Sequence, residues 1–399
     1  MESYFKSRMQ EISHLLDNED LNRAGIRILD LVYDLGYPYE VRMRAQELRL
    51  RYNQAKELGK KSIDDPHLTD EYRQFVSSLP QEGAVLNAPE KKLIASAEGI
   101  SKQFRTRMRT FTLEALNLEM NQGSIIGVVG ENGNGKTTLL RMIAGDLACD
   151  TGKVLYYFDR QACDDWAVNK YHIAFVQQRT ERFHGQVYEN LSFMAAIKGI
   201  HGQRNREMTE FVLHRMGLSN FAAHSWAQLS SGYRLRFEIA RALVWDPSIL
   251  ILDEPLANLD LQAQEQMLND LRNLADSPRN PMSIIISSQQ LYEVEAVSDQ
   301  IIFLKNGRAV YNGTLADFRN MQTLRTFELN GRFTIEKLME IFSDWKEVRI
   351  ENGISAMLLT CPNQYSQQDL LKKLVDNQME IEYLRDITGS TKQLFNDKF

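Results

Sequence analysis

Apolar positions in residues 1 to 88 recur at helical spacing. Phe5, Met9, Ile12 and Leu16 come every three to four residues, which predicts one amphipathic helix. Asp20 is a capping residue for a second helix through Leu35, with Gly36 as its stop signal. Glu40 to Leu58 sets Val41, Leu48, Tyr52, Ala55 and Leu58 on a charged background, a third helix ended by Gly59. Thr69 caps a short fourth that runs to Leu79. The stretch from Pro80 to Glu90 has turn residues and no period, so it reads as a linker.

From Lys92 the rhythm changes to strands, with Leu93 to Ser96 and Phe111 to Leu118 as the first. Ser124 to Val129 is short, apolar and β-branched, a buried strand, and Leu139 to Ala144 has helical spacing. A fully apolar strand, Ile249 to Leu252, ends in Asp253 and Glu254. The tail from Thr326 is a separate small unit. Thr326 to Leu329 and Glu347 to Ile350 read as strands around a helix from Thr334 to Phe342. Asn352-Gly353 is a hairpin turn into Ser355 to Leu359. A helix from Ser366 to Val375 and a strand from Met379 to Leu384 complete a βαββαβ order, which predicts a ferredoxin-like module.

A length of 399 residues favours two or three domains, here placed at 1–88, 92–320 and 326–399. A net charge of −6 argues against a dedicated nucleic-acid binder while leaving room for a local basic patch. Cys149, Cys163 and Cys361 lack metal or redox spacing, so reduced thiols in a cytosolic protein are expected. No apolar run approaches the ~20 residues of a membrane span, and the start of the chain lacks a signal-peptide core. A membrane role therefore needs a partner. His14 and His67 stand alone and read as surface histidines. The helical extension is either cover for the main domain or a docking module for a partner or a second copy.

The chemistry concentrates in Gly130-Glu131-Asn132-Gly133-Asn134-Gly135-Lys136-Thr137-Thr138, between a buried strand and a helix. Glycines let backbone N–H groups converge on an anion, and the helix N-terminus adds partial positive charge. Lys136 would reach the β- and γ-phosphates, and the Thr137 hydroxyl would hold Mg²⁺. A strand beside the first would deliver Asp253 to that ion and place Glu254 to polarise an attacking water. Leu229-Ser230-Ser231-Gly232-Tyr233, ahead of a helix from Arg234 to Val244, is a second anion site of backbone N–H groups and serine hydroxyls. Phe104 is either a purine-stacking ring or a core aromatic.

The order and spacing of these motifs, from Lys92 to Thr314, resemble the ATP-binding cassette (ABC) ATPase family. The resemblance implies an α/β, ABC-type P-loop NTPase fold with ATP and Mg²⁺ as its ligands. It assigns nucleotide contacts to Asn132, Gly133, Gly135, Lys136, Thr137, Thr138, Ser230, Ser231, Gly232 and Asp260, with Phe104 on the base. Tyr171 to Gln178 is similar to the segment that carries the glutamine touching Mg²⁺ and water, placed at Gln178. Leu229 to Tyr233 is similar to the signature motif, Ser231 and Tyr233 replacing the commoner glycine and glutamine. Ala257-Asn258-Leu259-Asp260 resembles the loop that crosses the dimer interface. The family's histidine after the next strand is missing, and Gln289, or Gln290 if the loop shifts by one, stands there.

The resemblance further implies that two copies, or this chain and a related one, close head-to-tail on ATP. Each site would then combine one phosphate loop with the other chain's signature motif. The chain end from Arg385 to Phe395 is similar to that of ATPase subunits from export-type ABC transporters. The expected activity is ATP hydrolysis that drives separate membrane-spanning permease subunits, at the inner face of the membrane. Phe183, Tyr188, Leu191, Phe193 and Met194 lie in the region where such subunits dock, or are core of a helical subdomain. A soluble ABC protein that remodels a non-membrane partner is the alternative. Direct nucleic-acid binding is disfavoured by the acidic balance and the single cassette.

Overall fold

The computed structural model describes residues 2–57, 66–80, 92–105, 110–158, 162–163, 165–178, 182–257, 259–321, 324–353 and 356–388. Residues 81–90 of the linker expected from Pro80 to Glu90, the stop at Gly59, the turn residue Ser355 and the chain end beyond Thr388 lie outside them. The chain divides into two compact units, residues 1–126 with 136–287 and residues 127–135 with 288–399.

The first unit opens with the helices that the periodicity predicts: α1 Glu2–Asp17, α2 Leu21–Asp34, α3 Tyr39–Glu57 and α4 Pro66–Ser78. Asp20 caps α2 by accepting the Arg23 N–H at 3.0 Å, and Gly36 leaves it at φ +65°. The fourth helix starts at Pro66, ahead of the expected cap Thr69, because a proline in the first turn forfeits no hydrogen bond. Ile12, Leu16, Ile28, Leu29, Val32 and Tyr72 close a core between these helices.

There follow β1 Leu93–Arg105, β2 Thr110–Asn121, β3 Ile125–Val129, α5 Lys136–Ile143, β4 Thr151–Tyr156, α6 Trp166–Asn169 and β5 Ile173–Val176. Then come α7 Val187–Ile197, α8 Gly202–Arg215, α9 Ser231–Leu243, β6 Ile249–Leu252, α10 Leu261–Ala275 and β7 Ser283–Ser288. One antiparallel sheet has the order β2-β1-β4. Its β1 runs past the expected end at Ser96, because β2 pairs with it as far as Arg105 opposite Thr110. The strands β5, β6 and β7 lie side by side in parallel, with Val176, Leu252 and Ile286 in register. Every residue of β6 is fully buried, as its unbroken apolar run requires.

The extension is joined to this unit by polar contacts as well as by packing. Phe211 of α8 stacks on Tyr33 of α2 at 3.8 Å. Arg215 of α8 donates through Nε to Asp30 Oδ1 of α2 at 2.8 Å, with both side chains buried. Burial alone would raise the Asp30 carboxyl; Arg215 and Arg27 overcome it and hold the group below its usual range. Ser277 donates to Asp34 at 2.7 Å, and Arg279 donates to the Tyr33 carbonyl at 3.0 Å.

Of the apolar residues named between Gln178 and Leu229, Leu191 is core, and Phe183 packs edge-on against Phe237 at 5.7 Å. Phe193 is 67% exposed on α7, with Ile197 also exposed beyond it. Among the described residues no helix is long and apolar enough to cross a membrane.

The second unit takes the end of β3 and the loop to Gly135, then continues from Ser288. Its elements are α11 Leu291–Val294, β8 Gln300–Lys305, β9 Arg308–Thr314, α12 Leu315–Met321, β10 Leu324–Gly331, α13 Ile335–Ile341, β11 Arg349–Asn352, β12 Met357–Pro362, α14 Gln367–Asp376 and β13 Ile381–Asp386. Thr334 caps α13, and Ser366 with Asp369 forms a capping box on α14. The tail is βαββαβ with strand order β11-β12-β10-β13 and antiparallel neighbours throughout. Strand β11 starts at Arg349 rather than the expected Glu347, whose φ of +58° a strand excludes. Phe327, Leu329, Leu338, Leu359, Leu370 and Leu374 form the core of this tail.

Candidate functional site

The register of β5, β6 and β7 builds the site. Since Val176, Leu252 and Ile286 are level, Gln178, Asp253, Glu254 and Ser287 all leave the same edge of the parallel strands. The Asp253 N–H donates to the Val176 carbonyl at 3.0 Å, continuing the ladder one step beyond β6. Two contacts tie these ends to the start of α5, and three more join the ends to one another. Thr137 Oγ1 donates to Asp253 Oδ2 at 2.7 Å. Lys136 Nζ is 2.9 Å from Glu254 Oε1, with both side chains buried. Gln178 Nε2 donates to Glu254 Oε2 at 2.8 Å. Ser287 Oγ donates to Asp253 Oδ1 at 2.7 Å and accepts the Glu254 N–H at 2.8 Å.

Glu254 has φ +48°, in the left-handed region that non-glycine residues rarely occupy. The bond from its N–H to Ser287 and the two contacts on its carboxylate hold it there. Such retained strain is a frequent mark of a functional position.

In the second unit the phosphate loop follows from its glycines. At Gly130 a β-carbon would sit 2.5 Å from the Leu304 carbonyl oxygen, so only glycine fits, and Gly133 and Gly135 take φ of +84° and +101°. The Gly130 N–H donates to the Ser288 carbonyl at 3.2 Å. Asn134 Oδ1 accepts the Asn306 N–H at 2.9 Å, which anchors the loop on the β8–β9 turn. Gln289 is thus one residue from the backbone that pairs with the loop's first glycine, and it is exposed, as is Gln290. Asn132 and Gly133 are exposed, as is Thr137 on α5, with Thr138 half-buried beside it.

Ser230 caps α9, its Oγ accepting the Tyr233 N–H at 3.5 Å. The two sides of this loop face different spaces. Ser231 lines a cavity of about 180 Å³ together with Gln178, Arg234, Asp253 and Glu254. Ser230 and Gly232 line another, described below. Asp260 caps α10 by accepting the Ala263 N–H at 2.8 Å. Phe104, on the end of β1, is 39% exposed and lies over Phe111 with ring centroids 6.5 Å apart.

The sequence reading missed Ser287. It stands at the end of the run Ile284-Ile285-Ile286, where it signals only the end of a buried strand. In the structure its side chain touches both Asp253 and the Glu254 backbone. It missed the Asn134 anchor for the same reason, since Asn306 is remote in sequence.

What the arrangement offers is a buried cation, a hydroxyl and two carboxylates at the opening of α5. Comparison with known proteins agrees with that inventory. A family model described as ABC transporter matches residues 113–257. The probable sulfate/thiosulfate import ATP-binding protein CysA of Chlorella vulgaris is 32% identical over 234 residues, 58% of this chain and 96% of that protein. The structure of cbiO1 from Clostridium perfringens, described as part of the ABC transporter complex cbiONQ, matches with a TM-score of 0.51 at 25% identity. The match covers 58% of this chain and 92% of that one. The dimeric ATP-binding cassette MJ0796, in a post-hydrolysis state bound to ADP and Pi, has the same fold, with a TM-score of 0.50 at 24% identity over 56% of this chain and 99% of its own.

Proposed function

The chain belongs to the ABC transporter ATP-binding family and is an ATPase; from that premise we propose that it closes head-to-tail with a second copy, or a related ABC subunit, on ATP, and so drives separate membrane-spanning permease subunits. The observation that carries the proposal is the convergence of Lys136, Thr137, Gln178, Asp253 and Glu254 at the end of parallel strands.

The residues divide the work as follows. Lys136, now paired with Glu254, turns to the β- and γ-phosphates when ATP enters, because a polyphosphate outcompetes a single carboxylate for its charge. That turn releases the Glu254 carboxylate as general base, with Gln178 still holding one of its oxygens. Thr137 Oγ1 and Asp253 Oδ2 are hard oxygen donors 2.7 Å apart, the kind of pair that Mg²⁺ takes alongside phosphate oxygens, and Gln178 lines the same cavity as Asp253. Bound there, Mg²⁺ would supply charge neutralisation at the phosphates. Ser287 keeps Asp253 in place. Gln289 is the candidate for the γ-phosphate contact, a neutral donor where the family has a histidine.

The exposed Phe193 and Ile197 on α7 support docking of permease subunits, and with it a peripheral place at the cytoplasmic face of the membrane. Export rests on the chain-end resemblance of Arg385 to Phe395. The relative named above is described as a probable import ATP-binding protein, so direction is decided by a transport assay. The βαββαβ order of the tail supports the ferredoxin-like reading of residues 326–399.

Glu254→Gln keeps the shape of the site and removes the base, so the variant should stay monomeric alone and run as a dimer with ATP on a sizing column. A monomer under both conditions, at ATP well above its affinity, sinks the sandwich. Purification in gentle detergent tests the partner: a polytopic membrane protein supports the transporter assignment, and a soluble one replaces it with a remodelling ATPase.

A further inference from the structure

A cavity of about 410 Å³ lies on the other side of the signature loop from Glu254, walled by α3 of the extension and by α9 and α10. Three cations line it, Arg49, Lys56 and Arg236, and none of its lining residues is acidic. Neighbouring buried arginines are paired: Arg27 with Glu11, and Arg215 with Asp30. Arg49, Lys56 and Arg236 form no ion pair among the described residues. Arg49 donates to Asn22 and to the His214 carbonyl, and Arg236 to the Met216 carbonyl and Gln266. The acids nearest in effect are Asp20, which acts on Lys56, and Asp270, which acts on Arg49. Burial, then Arg49 and Arg236, pull the Lys56 ammonium below its ordinary value, as expected where like charges crowd.

Two amides of the same wall, Asn53 and Gln266, each hold a buried NH₂ group with no hydrogen-bond acceptor. Leaving these buried donors unmet, and buried Arg49 without a counter-charge, is costly, so the wall is poorly explained as a stabilising device, while Lys56 is exposed at its mouth. It is well explained as the receptor of an acceptor-rich anion. The cap Ser230 and Gly232, at the N-terminus of the 13-residue α9, face the same space and add their own affinity for negative charge.

We propose that this cavity binds the polyphosphate of a nucleotide, with Lys56 of the extension and Arg236 as the cations that meet it and Asn53 and Gln266 as added donors. Several convergent cations suit a multiply charged anion better than a lone carboxylate, and the volume exceeds what an inorganic ion needs. Phe221 and Tyr233, with centroids 4.2 Å apart, supply aromatic surface on the same wall for the rest of the molecule. The nucleotide has two sources, a free one or the ATP on the partner's phosphate loop. The second source rests on the head-to-tail reading above.

The test uses full-length chains. Lys136→Ala disables the chain's own phosphate loop, and calorimetry with pyrophosphate and with ATP then reads this cavity alone. Binding that a further Lys56→Gln weakens about tenfold or more assigns the cavity to free nucleotide. For the other source, Lys56→Gln alone should slow hydrolysis about tenfold. Mixing it with Lys136→Ala copies should restore activity above that of either, because the mixed pair regains one site with both lysines. If Lys136→Ala binds neither probe and Lys56→Gln hydrolyses ATP like the natural chain, the proposal is overturned and the cations are structural. A failure of Glu254→Gln to dimerise removes the sandwich without touching the direct-binding result, so the two ideas fail separately.

Discussion

Ser287→Ala is the most demanding test of how the site is held. The Ser287 side chain is fully buried on β7, donates to Asp253 at 2.7 Å and accepts the Glu254 N–H at 2.8 Å. A hydrogen bond to a charged acceptor contributes about 1.5–3 kcal/mol, and a buried N–H left without a partner costs about 1–3 kcal/mol. Alanine loses the first and incurs the second, so the variant should be destabilised by about 3 kcal/mol. The catalytic effect is separate. Without the hydroxyl, Asp253 is held on one side only, by Thr137, and Glu254 loses the contact that fixes its left-handed backbone. Misplacement of reacting groups by about 1 Å can cost on the order of 100-fold in rate. We expect kcat/KM for ATP to fall by about that factor, or ~2.7 kcal/mol of transition-state stabilisation. Ser287→Thr separates the two effects. It keeps the hydroxyl while forcing a methyl into a filled site, a cost of about 1–3 kcal/mol, so its melting temperature should drop while its kcat/KM stays within about tenfold. The assays are coupled-enzyme ATPase kinetics and thermal unfolding of all three proteins. Equal losses of activity in Ala and Thr variants, or a fully active Ala variant, would show that Ser287 only fills space.

Further expectations concern the loop beside the phosphate site and the junction with the extension. The natural chain should hydrolyse ATP with no titration step from Gln289, whereas Gln289→His should add one near ~6.5 with the faster rate on the acid side; a Gln289→Ala variant identical to the natural chain from pH ~5.5 to 8.5 ends that assignment. Burial and then Arg49 push His214 down to about 4, so it is neutral in the fold and protonates first in the unfolded chain. Its contribution is complete above ~6.5 and is lost as pH falls through about 4, and His214→Gln should flatten the acid limb of melting temperature against pH; parallel limbs contradict it. Arg215→Met should destabilise the chain by about 3 kcal/mol by leaving buried Asp30 with Arg27 alone, and a melting temperature unchanged from that of the natural chain would mean that water already reaches the pair.

The motifs were legible because they are local. A glycine loop between a buried strand and a helix needs no tertiary information, and two acids ending an all-apolar strand must emerge at a strand edge. What aligns Gln178 with Asp253, Glu254 and Ser287 is parallel register, and that too was implicit in apolar runs too continuous for a half-exposed sheet. Ser287 was invisible because periodicity records burial, not bonding. The partner that gives it meaning, Asp253, is 34 residues away. The pairing of Lys136 with Glu254 was equally hidden, since each residue was read for its ATP-bound role and the ligand-free partner is another site residue. Element edges failed where backbone angles overrule composition, as at Glu347, and where proline opens a helix, as at Pro66.

The extension shows the same limit in a form that bears on function. Arg27 and Asp30 on α2 are charged yet both are buried, because α8 and α10 bring Arg215 and Asp270 to meet them. Buried ion pairs of this kind add little net stability over apolar packing, but breaking one is expensive, so they select a single docking position. Sliding the extension by one helical turn would strand Arg215 in a dry interface and leave Asp30 with Arg27 alone. The contacts on α3 point the same way: the Asn53 carbonyl accepts from Asn220 at 3.1 Å, and Arg42 lies 3.5 Å from Glu207. With α3 held at both ends, the position of Lys56 beside the signature loop is determined rather than incidental. A cover for the apolar surface of α8 would need only Phe211 and its neighbours to be masked, and could do so with Lys56 pointing elsewhere. That a single register is enforced by charge, and that this register delivers an unpaired cation to the loop that recognises nucleotide in the family, is why the extension reads as part of the nucleotide machinery.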